Sequence, residues 1–142
     1  MNTNKLAIEK LLKKARDYLP NVYSPYSKIR VIAVLETDKG LFVGTNVENA
    51  SYGLTMCAER VAFFKAISEG ARGFRRILIY SPDVVPYPCG ACRQVMSEFV
   101  DDDFELIVVR EGCPPKIFRF SEIFPHRFLI SQPCVGEDES TR

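Results

Sequence analysis

Neither sign of charge is in excess in this chain: 19 Lys and Arg stand against 18 Asp and Glu, for a formal net charge of +1 over 142 residues. The charges are scattered, and no basic stripe marks a face for a polynucleotide. The one run, Asp101-Asp102-Asp103, reads as a solvated loop. The N-terminus has no apolar signal core and no apolar stretch reaches membrane-spanning length, so the expected location is the cytoplasm, with no membrane partner. Histidine is nearly missing. His126 is the only one, and beside Arg127 near the end of the chain it reads as a surface residue rather than a ligand or base.

What is present is one ordinary globular domain. The hydrophobic fraction is 46% and the charged fraction 26%, and a chain of this length buries enough surface to hold a core without staples. Residues 1–130 carry pattern throughout; residues 131–142 are polar and patternless, the expected flexible tail. Five cysteines in a reducing compartment read as metal ligands or catalytic groups before disulfides.

Apolar residues at Ile8, Leu11, Leu12, Ala15 and Leu19 predict a first helix, capped by Asn4 or Thr3 and stopped by Pro20. Ile29 to Glu36 and Leu41 to Val47 predict a hairpin about Thr37-Asp38-Lys39-Gly40. A helix over 57–69 is apolar around much of its circumference, which suits deep burial, against other subunits as well as its own sheet. Phe63-Phe64 within it is core or interface. A strand over 76–81, a proline-rich loop over 82–88, a helix over 89–100 with Ala91, Val95, Met96 and Phe99 inward, strands over 104–109 and 116–120 and a short helix at 121–124 complete the pattern. Strands alternating with helices after an opening hairpin predict an α/β fold, a three-layer α/β/α sandwich on a mixed sheet.

Two short segments carry the chemistry. Pro88-Cys89-Gly90-Ala91-Cys92 sets two thiols on one face at a helix start, where unpaired N–H groups favour thiolate. Cys57-Ala58-Glu59 opens the other helix, where a short thiolate and a longer carboxylate can converge. Three thiolates on one ion leave a tetrahedral position open, as catalytic zinc sites do; a structural site fills it, with Cys113, Cys134 or His126 as the spare candidates. Taken without its neighbours, Glu59 is an acidic residue favoured by the helix dipole, Arg60 can form an ordinary ion pair, and Asn46 and Glu48 can satisfy a strand end.

The two segments resemble the zinc-deaminase signature, Cys-x-Glu followed by Pro-Cys-x-x-Cys. With their flanks, Asn46-Val47-Glu48-Asn49-Ala50-Ser51-Tyr52 leading to Cys57-Ala58-Glu59-Arg60, and Cys92-Arg93-Gln94 closing the second, they closely resemble the small homotetrameric cytidine deaminases from about Tyr23 to Phe128. The resemblance implies a cytidine deaminase-like fold and one Zn²⁺ per chain on Cys57, Cys89 and Cys92. It implies Glu59 as the proton-shuttling acid–base and Arg60 as a donor to the cysteine sulfurs. Asn46 and Glu48 would hold the ribose hydroxyls, and the Ala58 backbone would contact the base. Tyr52 and Phe128 would rim a neighbouring subunit's pocket in a homotetramer with shared active sites. The implied reaction is hydrolytic deamination of cytidine or deoxycytidine, a small-molecule nucleoside substrate, in pyrimidine salvage.

Three positions depart from the family pattern. Ile29 stands where the family commonly has an aromatic, and Ile32 and Val34 replace small residues, which is expected to alter the pocket floor. These changes bear on substrate identity more than on reaction type. They give room to a deaminase of another aminopyrimidine (a modified nucleoside, an antibiotic or a polynucleotide), and a zinc-stabilised interaction protein is the non-catalytic alternative.

Overall fold

A computed structural model describes residues 2–131 and residue 134. Helix α1 (Asn2–Asp17) is followed by strands β1 (Ile32–Thr37) and β2 (Gly40–Thr45), helix α2 (Ala58–Ser68), strand β3 (Phe74–Ser81), helix α3 (Gly90–Phe99), strands β4 (Glu105–Arg110) and β5 (Lys116–Arg119), and the short helix α4 (Phe120–Ile123). The expected helix is present, but it starts at Asn2, so Thr3 and Asn4 lie inside it rather than capping it. Beyond its end, Pro20 sits in a single 3-10 turn, Leu19–Asn21. The polar stretch expected as a tail lies, apart from Ser131 and Cys134, outside the described residues.

The five strands form one sheet in the order β2-β1-β3-β4-β5. Strand β1 runs antiparallel to both neighbours, β3 and β4 are parallel, and β5 is antiparallel to β4. The hairpin turns at Asp38-Lys39, and Gly40 supplies the left-handed backbone (φ +103) that such a turn needs.

Strand alternation sends neighbouring residues to opposite faces, so the sheet has two cores. On one face Ile32, Val34, Leu78, Tyr80, Ile107 and Val109 pack with Leu11 and Ala15 of α1. On the other, Ala33, Leu35, Ile77, Ile79 and Leu106 meet Ala58, Ala62, Phe63 and Ala66 of α2 and Cys92 and Met96 of α3. The expected three layers are therefore present. In α3 the inward set differs from the one read in the sequence: Cys92, Met96 and Ser97 are buried and Ala91 is exposed. Ala91 and Cys92 share the first turn but point about 100° apart, and it is Cys92 that faces the sheet. In this chain α2 buries one face; Phe63 is inaccessible but Phe64 is 46% exposed.

Glycine at position 44 sets how closely α2 approaches the sheet. A Cβ there would stand 2.5 Å from the Ala62 backbone nitrogen and closer still to the Ala58 carbonyl oxygen. Both obstacles are backbone, so the helix itself would have to move. A Gly44→Ala variant is expected to lose about 3 kcal/mol or more in a urea titration, the upper end for overpacking a core. Cys57, the N-cap of this helix, and Glu59 in its first turn would be displaced with it.

Helix α1 is tied to the end of β4 by charge. The Arg16 guanidinium donates to both oxygens of Glu111 at 3.1 and 3.0 Å, and the Tyr80 hydroxyl donates to the same carboxylate. Those donors, Arg16 first, hold the Glu111 carboxyl below the ordinary glutamate value. A depressed carboxyl contributes stability above its unfolded pKa of about 4.3 and loses it as pH falls through the folded value. The stability difference between wild type and Glu111→Gln should therefore be constant near neutrality and shrink below about pH 4.3. Denaturant titrations at several pH values measure it.

Candidate active site

Topology places the site. Strands β2 and β3 both run antiparallel to β1, hence parallel to each other, and α2 and α3 follow them on the same face. Both helices thus start side by side above the carboxyl ends of parallel strands, the usual place for a site in an α/β sheet. Each has a cysteine as its N-cap, Cys57 for α2 and Cys89 for α3.

The three sulfurs meet there. Cys57 Sγ lies 3.8 Å from Cys89 Sγ, and Cys89 Sγ lies 3.5 Å from Cys92 Sγ. All three fall within 4.8 Å of one another. A tetrahedral zinc with Zn–S of about 2.3 Å requires sulfurs about 3.8 Å apart, so the cluster fits zinc with little adjustment. Among the described residues this is the only such grouping of three or more ligand side chains. Cys113 and His126, spare ligands by sequence, are exposed and lie outside it.

Charge around the cluster favours the thiolate form at Cys57. The Arg60 guanidinium donates to Cys57 Sγ at 3.4 Å, and both helix starts aim positive potential at the cluster. The Cys57 thiol lies below its ordinary value, through its hydrogen bond with Cys92 first and Arg60 next, against the cost of burial. Cys92 is pushed the other way and keeps the proton of the pair.

Glu59 occupies the first turn of α2 and is 5% exposed. Burial, with a smaller contribution from the Cys57 charge, pushes its carboxyl up to about 7. Such a group can both take and return a proton near neutral pH.

These residues border a cavity of about 280 Å³, whose lining includes Cys57, Glu59 and Cys89 together with Ile29, Asn46, Glu48 and Ala58. Cys92 is fully buried. Asn46 and Glu48 face the same cavity, although β2 has ended at Thr45 and they belong to the segment after it. Both also brace the chain across from them. The Asn46 side chain donates to the Ile29 carbonyl at 2.8 Å and accepts from the Val31 N–H at 3.0 Å. Glu48 accepts from the Tyr26 and Ser27 N–H groups, both at 3.0 Å, and from the Ser27 hydroxyl. The Ser27 bonds come first in holding its carboxyl below the usual range.

Some expectations end differently. Ile32 and Val34 do not touch the cavity; both are fully buried on the α1 side of the sheet. The pleat turns them to the opposite face from the helix starts, so the expected change of pocket floor is corrected to a change of core. Tyr52 and Phe128, expected at a neighbouring subunit's pocket, are absent from the lining of this chain's own cavity, as that expectation requires. Tyr52, 73% exposed, lines a neighbouring hollow with Tyr26, Ser27, Glu48 and Thr55, its ring edge-on to Tyr26 at 5.8 Å. Phe128 is 65% exposed, and its carbonyl accepts from the Gln94 side chain at 3.2 Å. The loop 82–88, proline-rich and without a role legible in the sequence, adds Val84 to Tyr87 to the cavity lining. Its position directly before Cys89 was the available signal.

The comparisons agree with this geometry. Residues 6–108 match the family model described as the cytidine and deoxycytidylate deaminase zinc-binding region. The chain is 42% identical over 120 residues to a cytidine deaminase of Halalkalibacterium halodurans, covering 83% of this chain and 91% of that protein. It is 45% identical over 94 residues to one from Sporosarcina psychrophila, covering 65% and 69%. The fold is similar to the crystal structure of a cytidine deaminase from Burkholderia pseudomallei, with a TM-score of 0.79, 37% identity and coverage of 84% of this chain and 98% of that one. With the zinc-binding-region model matching most of this chain and the three sulfurs gathered at two helix starts, the chain belongs to the cytidine and deoxycytidylate deaminase family.

Proposed function

We propose that this protein catalyses the hydrolytic deamination of cytidine and deoxycytidine, converting nucleoside and water to the uracil nucleoside and ammonia. One observation carries the reading: a buried carboxyl, Glu59, stands beside a three-sulfur cluster in the lining of an open cavity. Zinc held by Cys57, Cys89 and Cys92 supplies the Lewis acidity that makes water a nucleophile near neutral pH.

The chain's own groups do the rest. Glu59 takes a proton from the attacking water and delivers it to N3 of the pyrimidine, then carries a proton to the departing amine at C4. Arg60 withdraws charge from the sulfurs. After bracing Ile29 and Val31, the Asn46 amide retains one N–H and one acceptor lone pair, enough for a sugar hydroxyl. Glu48, held ionised, accepts from a second hydroxyl. The Ala58 backbone meets the edge of the base, and Ile29 covers its face with apolar contact where an aromatic ring would stack. Tyr52, Phe128 and the exposed Phe64 serve a homotetramer in which the first two rim a neighbour's pocket. Residues 1–130 form the single catalytic domain, working in the cytoplasm. Among the described residues no helix is long and apolar enough to cross a membrane.

Ile29 favours a second reading, a deaminase of a differently substituted aminopyrimidine. Zinc content per chain, paired with ultraviolet-monitored turnover of cytidine, deoxycytidine, cytosine and a single-stranded oligonucleotide, separates the two. One zinc per chain with turnover of both nucleosides, and neither free cytosine nor the oligonucleotide consumed, is the expected outcome. Inertness toward both nucleosides would replace the reading.

A further inference from the structure

The walls of the cavity come from distant parts of the chain. One is the segment before β1, which contributes Ile29 and Val31; the other is the loop after β3, which contributes Val84 and Val85. A single ion pair joins them just outside the cavity. Arg30 Nε and Nη2 donate to Oδ2 and Oδ1 of Asp83 at 3.1 and 3.0 Å, and the Arg30 backbone N–H donates to Oδ2 at 2.9 Å. One carboxylate thus accepts three bonds from one residue.

The Asp83 end is fixed to the sheet. The backbone N–H groups of Asp83 and Val84 donate to Ser81 Oγ at 3.1 and 3.2 Å, and Ser81, the last residue of β3, is fully buried. The Arg30 end is gripped from the other side, since Asn46 holds the residues immediately before and after it. The same segment enters through Lys28, whose φ of 63° is left-handed, a costly conformation for a residue with a side chain. Such a residue persists where its surroundings over-determine it. Local bonds brace the entry, with the Lys28 N–H donating to the Ser24 carbonyl and the Ile29 N–H to Ser27 Oγ, both at 3.0 Å, while Asn46 and Asp83 fix the segment against the rest of the fold.

We propose that Arg30 and Asp83 are positioning residues, a clasp that fixes the separation of the two cavity walls and so sets nucleoside affinity without touching the reacting atoms. The proposal rests on the reading of this cavity as the nucleoside site. An exposed pair of this kind contributes little to global stability, so its loss should be felt in binding rather than in folding.

The test measures the Kd for cytidine by calorimetry in the Glu59→Gln background, where turnover is suppressed, and KM and kcat in the active background. Asp83→Ala should weaken Kd and raise KM by roughly tenfold, with kcat within about twofold and the thermal midpoint nearly unmoved. Arg30→Lys keeps the charge and the backbone donor but loses the fork, and should shift both by about threefold. Arg30→Ala combined with Asp83→Ala should be no worse than Asp83→Ala alone. An unchanged Kd in Asp83→Ala, or a fall in kcat at constant KM, overturns the clasp. Absence of cytidine binding with the clasp intact overturns the nucleoside reading and the clasp's role with it.

Discussion

A Glu59→Gln variant is expected to bind zinc as the unaltered chain does, to keep its thermal midpoint within a few degrees, and to deaminate cytidine about 10²- to 10⁴-fold more slowly. The substitution is nearly isosteric and replaces a carboxyl that is already costly to ionise where it stands. It therefore leaves the packing of α2 against the sheet intact. It removes the one group beside the sulfurs able to move a proton between water, N3 and the amine. The three sulfurs are untouched, so metal content and rate should separate cleanly. Metal analysis and ultraviolet-monitored turnover on one preparation decide the matter. Wild-type rates from the variant would sink the acid–base assignment, and loss of zinc would show that Glu59 supports the cluster instead.

The second large effect concerns the sulfurs. Replacing Cys89 or Cys92 by Ser should abolish zinc binding at micromolar metal and reduce cytidine turnover to the uncatalysed background. The folded chain should also become less stable, because an ion bound only by the folded state stabilises it by mass action, about 4 kcal/mol when present at 1,000 times its Kd. For a domain of this size that corresponds to roughly 10 °C in thermal midpoint. A strong chelator should lower the wild-type midpoint by a similar amount and leave the serine variants unmoved. Since the Cys92 thiol keeps its proton until displaced, zinc uptake should release protons and weaken as pH falls. A Cys92→Ser protein that retains both metal and activity would remove Cys92 from the ligand set.

These predictions draw unequally on sequence and structure. The hairpin about residues 37–40, the helices beginning at the two cysteine segments and the alternating order of elements were legible because they rest on local chemistry: β-branched runs, a glycine in a turn, apolar spacing. The ligand trio was legible because Cys-x-Glu and Cys-x-x-Cys at helix starts have few uses. The inward face of α3 differs at Ala91 because apolar spacing did not count the thiol of Cys92, which takes the sheet-facing position one residue on. Ile32 and Val34 bear on the pocket in sequence because they replace small residues of the family pattern, and only the pleat sends them to the α1 face.

By itself, then, the sequence determined which side chains can bind a soft ion and move a proton, and the α/β order that carries them, since residue identity and short-range spacing suffice for both. Three things were left to the tertiary structure: that two helix starts 32 residues apart bring their sulfurs within 3.8 Å, that loop 82–88 lines the cavity, and that Arg30 reaches Asp83 beside it. The physical reason is the sheet. The common direction of β2 and β3 on either side of β1 sets which chain ends become neighbours, and no local spacing encodes that pairing.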